Sequence, residues 1–156
     1  MRSSTAKISD AQERLTNLVR QRLGQVGAKF SERVNEHPVE ATIAFQLEVR
    51  EPSRLTAAID IGIDGFWFKA NEAALHLEMQ DAGNDPEAWI ELCDGAIEAI
   101  LTHPLRIRTR RTFLLARRVG AVWVPGDAGA WNGEYFAWGG WGREERFDDW
   151  LGSPTG

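Results

Sequence analysis

The stretch from residue 41 to residue 80 most constrains the fold, because apolar side chains alternate with polar ones along much of it. Alternation with a period of two is typical of strands that bury one face. The apolar positions of the two clearest runs are Ile43, Phe45, Leu47 and Val49, and then Leu55, Ala57, Ile59, Ile61 and Ile63. Asp64-Gly65 follows the second run and suits a tight hairpin turn. The sequence therefore predicts a β-meander, continued by a strand at 66–69 and by a further strand or continuation at 75–80.

Two amphipathic helices are predicted on either side of this meander. Between Ser9 and Glu36, apolar residues recur at spacings of three and four, and Ser9 with Gln12 matches a capping box. A second helix is predicted from Asp85-Pro86 to Leu101, because aspartate caps helices well and proline is favoured at the first helical position.

Alternation beyond the second helix predicts further strands at 105–111, 113–117, 119–124 and 134–138. The predicted fold class is α+β: an antiparallel sheet of five to six strands with two helices on one face, in the order α-β-β-β-α-β-β(-β). A chain of 156 residues is the size of one domain, so we expect a single domain over 1–156 with flexible ends at 1–8 and 151–156. This element order and the net charge of -5 resemble those of the compact chaperones that hold secretion effectors in the bacterial cytoplasm.

Basic residues are concentrated in one segment of this acidic chain. Residues 106–118 include six arginines and no acid, whereas residues 34–105 include 3 basic and 14 acidic residues. The alternation places three arginines on one strand face, where guanidinium groups could bind carboxylates or phosphates. These are Arg106, Arg108 and Arg110. Alternatively, they pair with carboxylates of neighbouring strands. The candidate partners are Glu48, Asp60 and Glu78.

Two further features are candidates for binding. Aromatic residues crowd the segment 131–150, where Trp138 and Trp141 could stack on a ligand or contact a protein, or else the segment covers the end of the core. His76 and Glu78 share a strand face, but two groups do not make a metal or acid-base site.

No catalytic motif, phosphate-binding loop or dinucleotide fingerprint occurs in the sequence, so we expect neither a catalytic residue, a metal nor a cofactor. The one cysteine, Cys93, lies on the apolar face of the second helix and is expected to be a buried core residue. The sequence has no signal-peptide core and no long apolar run, so a cytoplasmic location without membrane contact is expected.

Three functions are compatible with these features. The first is a non-catalytic protein-binding module, like a secretion chaperone or a toxin-immunity protein, that binds another protein and also itself as a homodimer. The second is binding or conversion of a small apolar ligand in a pocket between sheet and helices, lined by Phe66, Phe68, Trp89 and Trp123. The third, disfavoured by the acidic composition, is nucleic-acid binding through the Arg106 to Arg118 stripe.

Overall fold

The computed structural model describes residues 8–36, 40–111, 118–125, 130–133 and 142–152, with the backbone alone at residues 111, 118, 119, 130, 132 and 133. Two α-helices, a short 3-10 helix (Met79–Ala82) and nine strands lie in these ranges. In chain order they are α1 (Asp10–Gln25), β1 (Phe30–Glu36), β2 (Ala41–Leu47), β3 (Ala57–Ile61), β4 (Gly65–Ala70), β5 (Ala73–Glu78), α2 (Pro86–Thr102), β6 (Leu105–Arg111), β7 (Arg118–Val124), β8 (Ala130–Gly133) and β9 (Arg143–Phe147).

The strands form one curled sheet in the order β1-β2-β3-β4-β5-β7-β6-β9, with β8 paired to β7. Pairing between these strands is antiparallel except for β5 with β7, which is parallel. The α+β class is confirmed, whereas the predicted strand number, the purely antiparallel sheet and the element order are wrong. The strands predicted at 113–117 and 134–138 lie outside the described residues.

The first helix is shorter than predicted, because the chain leaves the helical conformation near a glycine. α1 ends at Gln25, and Gly27 adopts a left-handed φ of 68°, which glycine tolerates better than other residues. The chain then returns as β1. Phe30 and Val34 share a face in a strand as well as in a helix, since they are four residues apart. Their spacing alone therefore could not distinguish the two structures.

One face of the sheet, the helix face, packs against both helices and forms the core. Its largest fully buried side chains alternate along β2–β5. These are Phe45, Ile59, Ile61, Phe66, Phe68 and Leu75. α1 adds Leu15, Val19 and Leu23, and α2 adds Trp89, Cys93 and Ile97. The opposite side of the sheet, the outer face, carries polar, small and aromatic side chains. Neither α1 nor α2 is long and apolar enough to cross a membrane.

Gln12 fixes the position of α1 on the sheet from inside the core. Its side chain is buried, and its amide donates hydrogen bonds to the carbonyls of Ala41 at 2.7 Å and Ile61 at 2.9 Å. The predicted capping box with Ser9 is also present. One side chain therefore joins the start of α1 to the ends of β2 and β3.

The chain after β9 closes the curl of the sheet against the segment after β2. The Arg50 amide donates to the Trp150 carbonyl at 3.1 Å, and Val49 forms an antiparallel bridge with Leu151. The buried Trp150 ring meets Phe68 edge-on, with 5.9 Å between ring centroids. These C-terminal residues therefore cover one end of the core.

A glycine joins the two antiparallel parts of the sheet. Gly120 of β7 pairs in parallel with Ala73 of β5 and, on its other side, with Thr109 of β6. A β-carbon at position 120 would lie 2.8 Å from the Ala73 α-carbon and 2.9 Å from the Arg108 carbonyl oxygen. Backbone atoms on both sides thus leave no room for a side chain.

We expect Gly120→Ala to lower the free energy of unfolding by about 1–3 kcal/mol, because the added methyl group must push two strands apart. Gly95→Ala is the matched control, since Gly95 is exposed on α2 with nothing within 4 Å of an added β-carbon. It should stabilise the protein by about 0.5–1 kcal/mol through helix propensity. Urea unfolding measures both values, and equal effects of the two substitutions would contradict the packing argument.

We expect Gln12→Ala to cost about 1–3 kcal/mol of unfolding free energy, since it removes two buried hydrogen bonds. Gln21→Ala removes an exposed glutamine from the same helix and should change the value by less than about 0.5 kcal/mol. A Gln12→Ala variant as stable as the Gln21→Ala variant would show that the buried amide does not hold α1 in place.

Candidate functional site

The outer face brings together most of the candidate residues predicted from sequence. Strand register places the predicted arginines on the same side of the sheet as the candidates of β3 and β5. The residues placed there are Asp60, His76, Arg106, Arg108 and Arg110, with Glu78 beside His76. Glu48 is exposed just beyond β2, whereas Trp138 and Trp141 lie outside the described residues.

Two tryptophans and two arginines form a compact group on this face, here called the tryptophan–arginine cluster. Trp123 of β7 faces Trp131 of β8, with 5.2 Å between ring centroids and 62° between ring planes. The guanidinium carbon of Arg108 lies 4.1 Å from the Trp131 ring centroid, and that of Arg106 lies 4.8 Å from the Trp123 centroid. These are cation–π distances, so each arginine holds an indole ring in place.

Glu144 of β9 completes the tryptophan–arginine cluster. One of its carboxylate oxygens accepts hydrogen bonds from Arg106 Nε at 2.9 Å and Nη2 at 2.6 Å, and the other lies 3.9 Å from Arg108 Nη2. The side chains of Arg106 and Arg108 remain 32% and 29% exposed. One carboxylate therefore serves two half-buried guanidinium groups, and the cluster keeps a net positive charge.

The sheet order explains why the arginines pair with Glu144. β6 lies between β7 and β9, so β9 supplies the carboxylate beside Arg106 and Arg108. The carboxylates proposed from sequence lie elsewhere or have other neighbours. Asp60 pairs with Lys69 at 2.6 Å, and Glu78 lies 3.5 Å from His76.

A second aromatic pair lies on the outer face at β4 and β5. The Trp67 and His76 rings stack at 4.4 Å between centroids, with 10° between their planes. The Trp67 ring covers Gly65, where an added β-carbon would lie 2.6 Å from a ring carbon. A side chain at position 65 would therefore displace this ring from its place over Gly65. Among the described residues, no group of three or more His, Cys, Asp or Glu side chains could hold a metal ion.

The pocket predicted between sheet and helices is not formed by the residues proposed for it. Phe66, Phe68 and Trp89 are buried in the core, whereas Trp123 lies on the outer face. An apolar groove of about 370 Å³ does open between α2 and the ends of β5 and β7. It is lined mainly by Leu75, Leu77, Leu92, Ala96, Val124 and Pro125.

The cysteine lies in the core, as the sequence predicts. Cys93 is fully buried on α2, and burial raises the pKa of its thiol to about 12. The reactive thiolate form is thereby disfavoured near neutral pH.

Sequence reasoning missed three of the residues that shape the outer face. Trp67 and Trp123 stand at outward positions of predicted strands, where a large aromatic residue was a usable signal of surface function. Glu144 could not be assigned, because its partners come from a strand 38 residues earlier. Comparison with protein-family models, with curated proteins and with solved structures finds no match for this chain.

Proposed function

We propose that this protein is a non-catalytic protein-binding module that contacts its partner with the outer face of the sheet. The observation that carries the proposal is the tryptophan–arginine cluster. Trp123 and Trp131 are half-buried, are fixed by cation–π contacts, and stand on hydrogen-bonded strands. Tryptophan and arginine contribute most often to the energetic centres of protein interfaces.

The surroundings of the aromatic groups also suit a protein partner. Short side chains also occupy several outward positions of β2, β3 and β5, so the sheet is open to a partner between its larger side chains. The short side chains are those of Thr42, Ala44, Ala58 and Ala74. Rings already fixed in place lose little conformational entropy when a partner covers them, so such a surface is prepared for binding.

The biological role that we propose is that of a secretion chaperone or toxin-immunity protein acting in the cytoplasm. Both roles require a small protein that binds one partner without chemistry. A single buried thiol also suits a reducing compartment.

Photo-crosslinking from the outer face tests the proposal. A benzoylphenylalanine is placed at Ala58 or Ala74, and a control residue at Glu91 on the exposed side of α2. In extracts of the source organism, we expect the outer-face positions to give a discrete adduct with one other protein, while Glu91 gives none. Trp131→Ala should reduce the adduct yield at least about tenfold, because truncating an interface centre costs roughly 2 kcal/mol or more, which is about a thirtyfold loss of affinity.

A matched folding control accompanies this experiment. Melting temperatures of the crosslinking variants and of Trp131→Ala should show that the fold is kept. Equal adducts from both faces, or none from the outer face, would overturn the proposal.

We also propose that the protein forms a homodimer through the edge of β1. Within the described residues β1 pairs with β2 alone, and its Val34 side chain is 49% exposed. An open strand edge is a ready template for pairing with a second copy.

The expected solution mass is twice 17.5 kDa, and Val34→Lys should convert the dimer into a monomer, because it places a buried charge at the paired edge. Leu92→Lys, at a residue 40% exposed on α2, is the matched control and should leave the dimer intact. Sedimentation velocity measures the mass. A monomeric wild type, or a dimer broken by Leu92→Lys alone, would contradict pairing through β1.

A further inference from the structure

We infer that the outer face recognises an acidic segment of the partner protein, anchored at the tryptophan–arginine cluster. This inference rests on the proposed function and adds the chemistry of the partner. It follows from how charge is divided between the two sides of the molecule.

The outer face is basic although the whole chain carries a net charge of -5. Among the strand residues whose side chains are described, six basic side chains point outward against three acidic ones. The basic residues are Arg33, Lys69, Arg106, Arg108, Arg110 and Arg146. The acidic residues are Asp60, Glu78 and Glu144.

The two helices have the opposite character, with six acidic and three basic residues between them. α2 carries four acidic residues and no basic one. These are Glu87, Glu91, Asp94 and Glu98. Arg22 of α1 donates to both carboxylate oxygens of Asp94, at 2.8 and 2.9 Å, and lowers the pKa of that carboxyl group. Opposite charges on opposite sides orient the molecule in the field of a charged partner, so an acidic partner is drawn to the outer face.

The pattern of charge favours a protein segment over a nucleic acid. The carboxylate of Glu144 lies inside the tryptophan–arginine cluster, and Asp60 lies on the same face beside Lys69. A phosphate backbone presents negative charge at every nucleotide and would be repelled at those points. A polypeptide of net negative charge can place a neutral or basic side chain opposite each of them.

The cluster offers the anchor for such a segment. The guanidinium groups of Arg106 and Arg108 lie over indole rings, so their positions are set before a partner carboxylate arrives. Their exposed fractions of 32% and 29% leave part of each guanidinium open to the partner. Guanidinium groups bind carboxylates through paired hydrogen bonds, and the indole rings supply apolar contact beside them.

Fluorescence anisotropy of three labelled probes against the full chain tests the inference. The probes are a peptide of Glu-Thr-Glu-Val repeats, the same peptide with lysine in place of glutamate, and a single-stranded DNA of the same net charge as the acidic peptide. We expect the acidic peptide to bind at least about tenfold more tightly than either of the others, and to weaken as salt is raised.

Matched charge variants locate the binding surface. Arg108→Gln and Arg146→Gln are two single variants, and each removes one positive charge from the outer face. Arg14→Gln removes one positive charge from α1, so all three variants have the same net charge. The outer-face variants should lose about tenfold in affinity for the acidic peptide, and Arg14→Gln should not. Their melting temperatures check that folding is kept.

Equal binding of the acidic and basic peptides, preference for DNA, absence of binding, or an equal effect of Arg14→Gln would overturn the inference. These results would leave the proposed function standing if the outer face still crosslinks to one protein. Loss of that crosslink is the separate result that overturns the proposed function.

Discussion

The two parts of this sheet can join because the residue between them is a glycine, which has no β-carbon. In the described part of the chain, β1–β5 and β6–β9 are joined by backbone pairing at two places, the parallel pair Ala73–Gly120 and the bridge Val49–Leu151. At the first, Gly120 is held between the backbones of β5 and β6. The outer face exists as one surface because this contact places the Trp67–His76 pair and the tryptophan–arginine cluster on the same sheet.

The two faces of the sheet have different physical roles. The helix face buries a continuous apolar core and would serve any function equally well. On the outer face, Trp123 and Trp131 are half-buried, and contacts with arginines, rather than packing in the core, fix them in place. Large aromatic side chains outside the core are costly in solvent and informative about function. The outer face is therefore the surface on which we propose that binding occurs.

Much of the meander and the second helix could be predicted, because their signals are local: alternation around Phe45 and Ile59, and the Asp85 cap of α2. β1 was missed because a four-residue spacing of apolar side chains fits a helix as well as a strand. β9 was missed because Phe147 is its one buried position and its other residues are charged. The common face of Arg106, Arg108 and Arg110 could be predicted from alternation along the strand. Their carboxylate and indole partners could not, because these depend on the order of strands in the sheet, which no local sequence pattern indicates.

The C-terminal residues close the sheet, and this closure also determines the order in which the parts of the fold form. Arg50 and Leu151, which meet there, are 101 residues apart in sequence. The meander consists of neighbouring hairpins and can form as soon as it is synthesised, whereas contacts of such long range form late. During synthesis, Phe68 therefore lacks its Trp150 cover until the last strand has emerged. The end of the core that Phe68 and Trp150 share is therefore among the last parts of the structure to be completed.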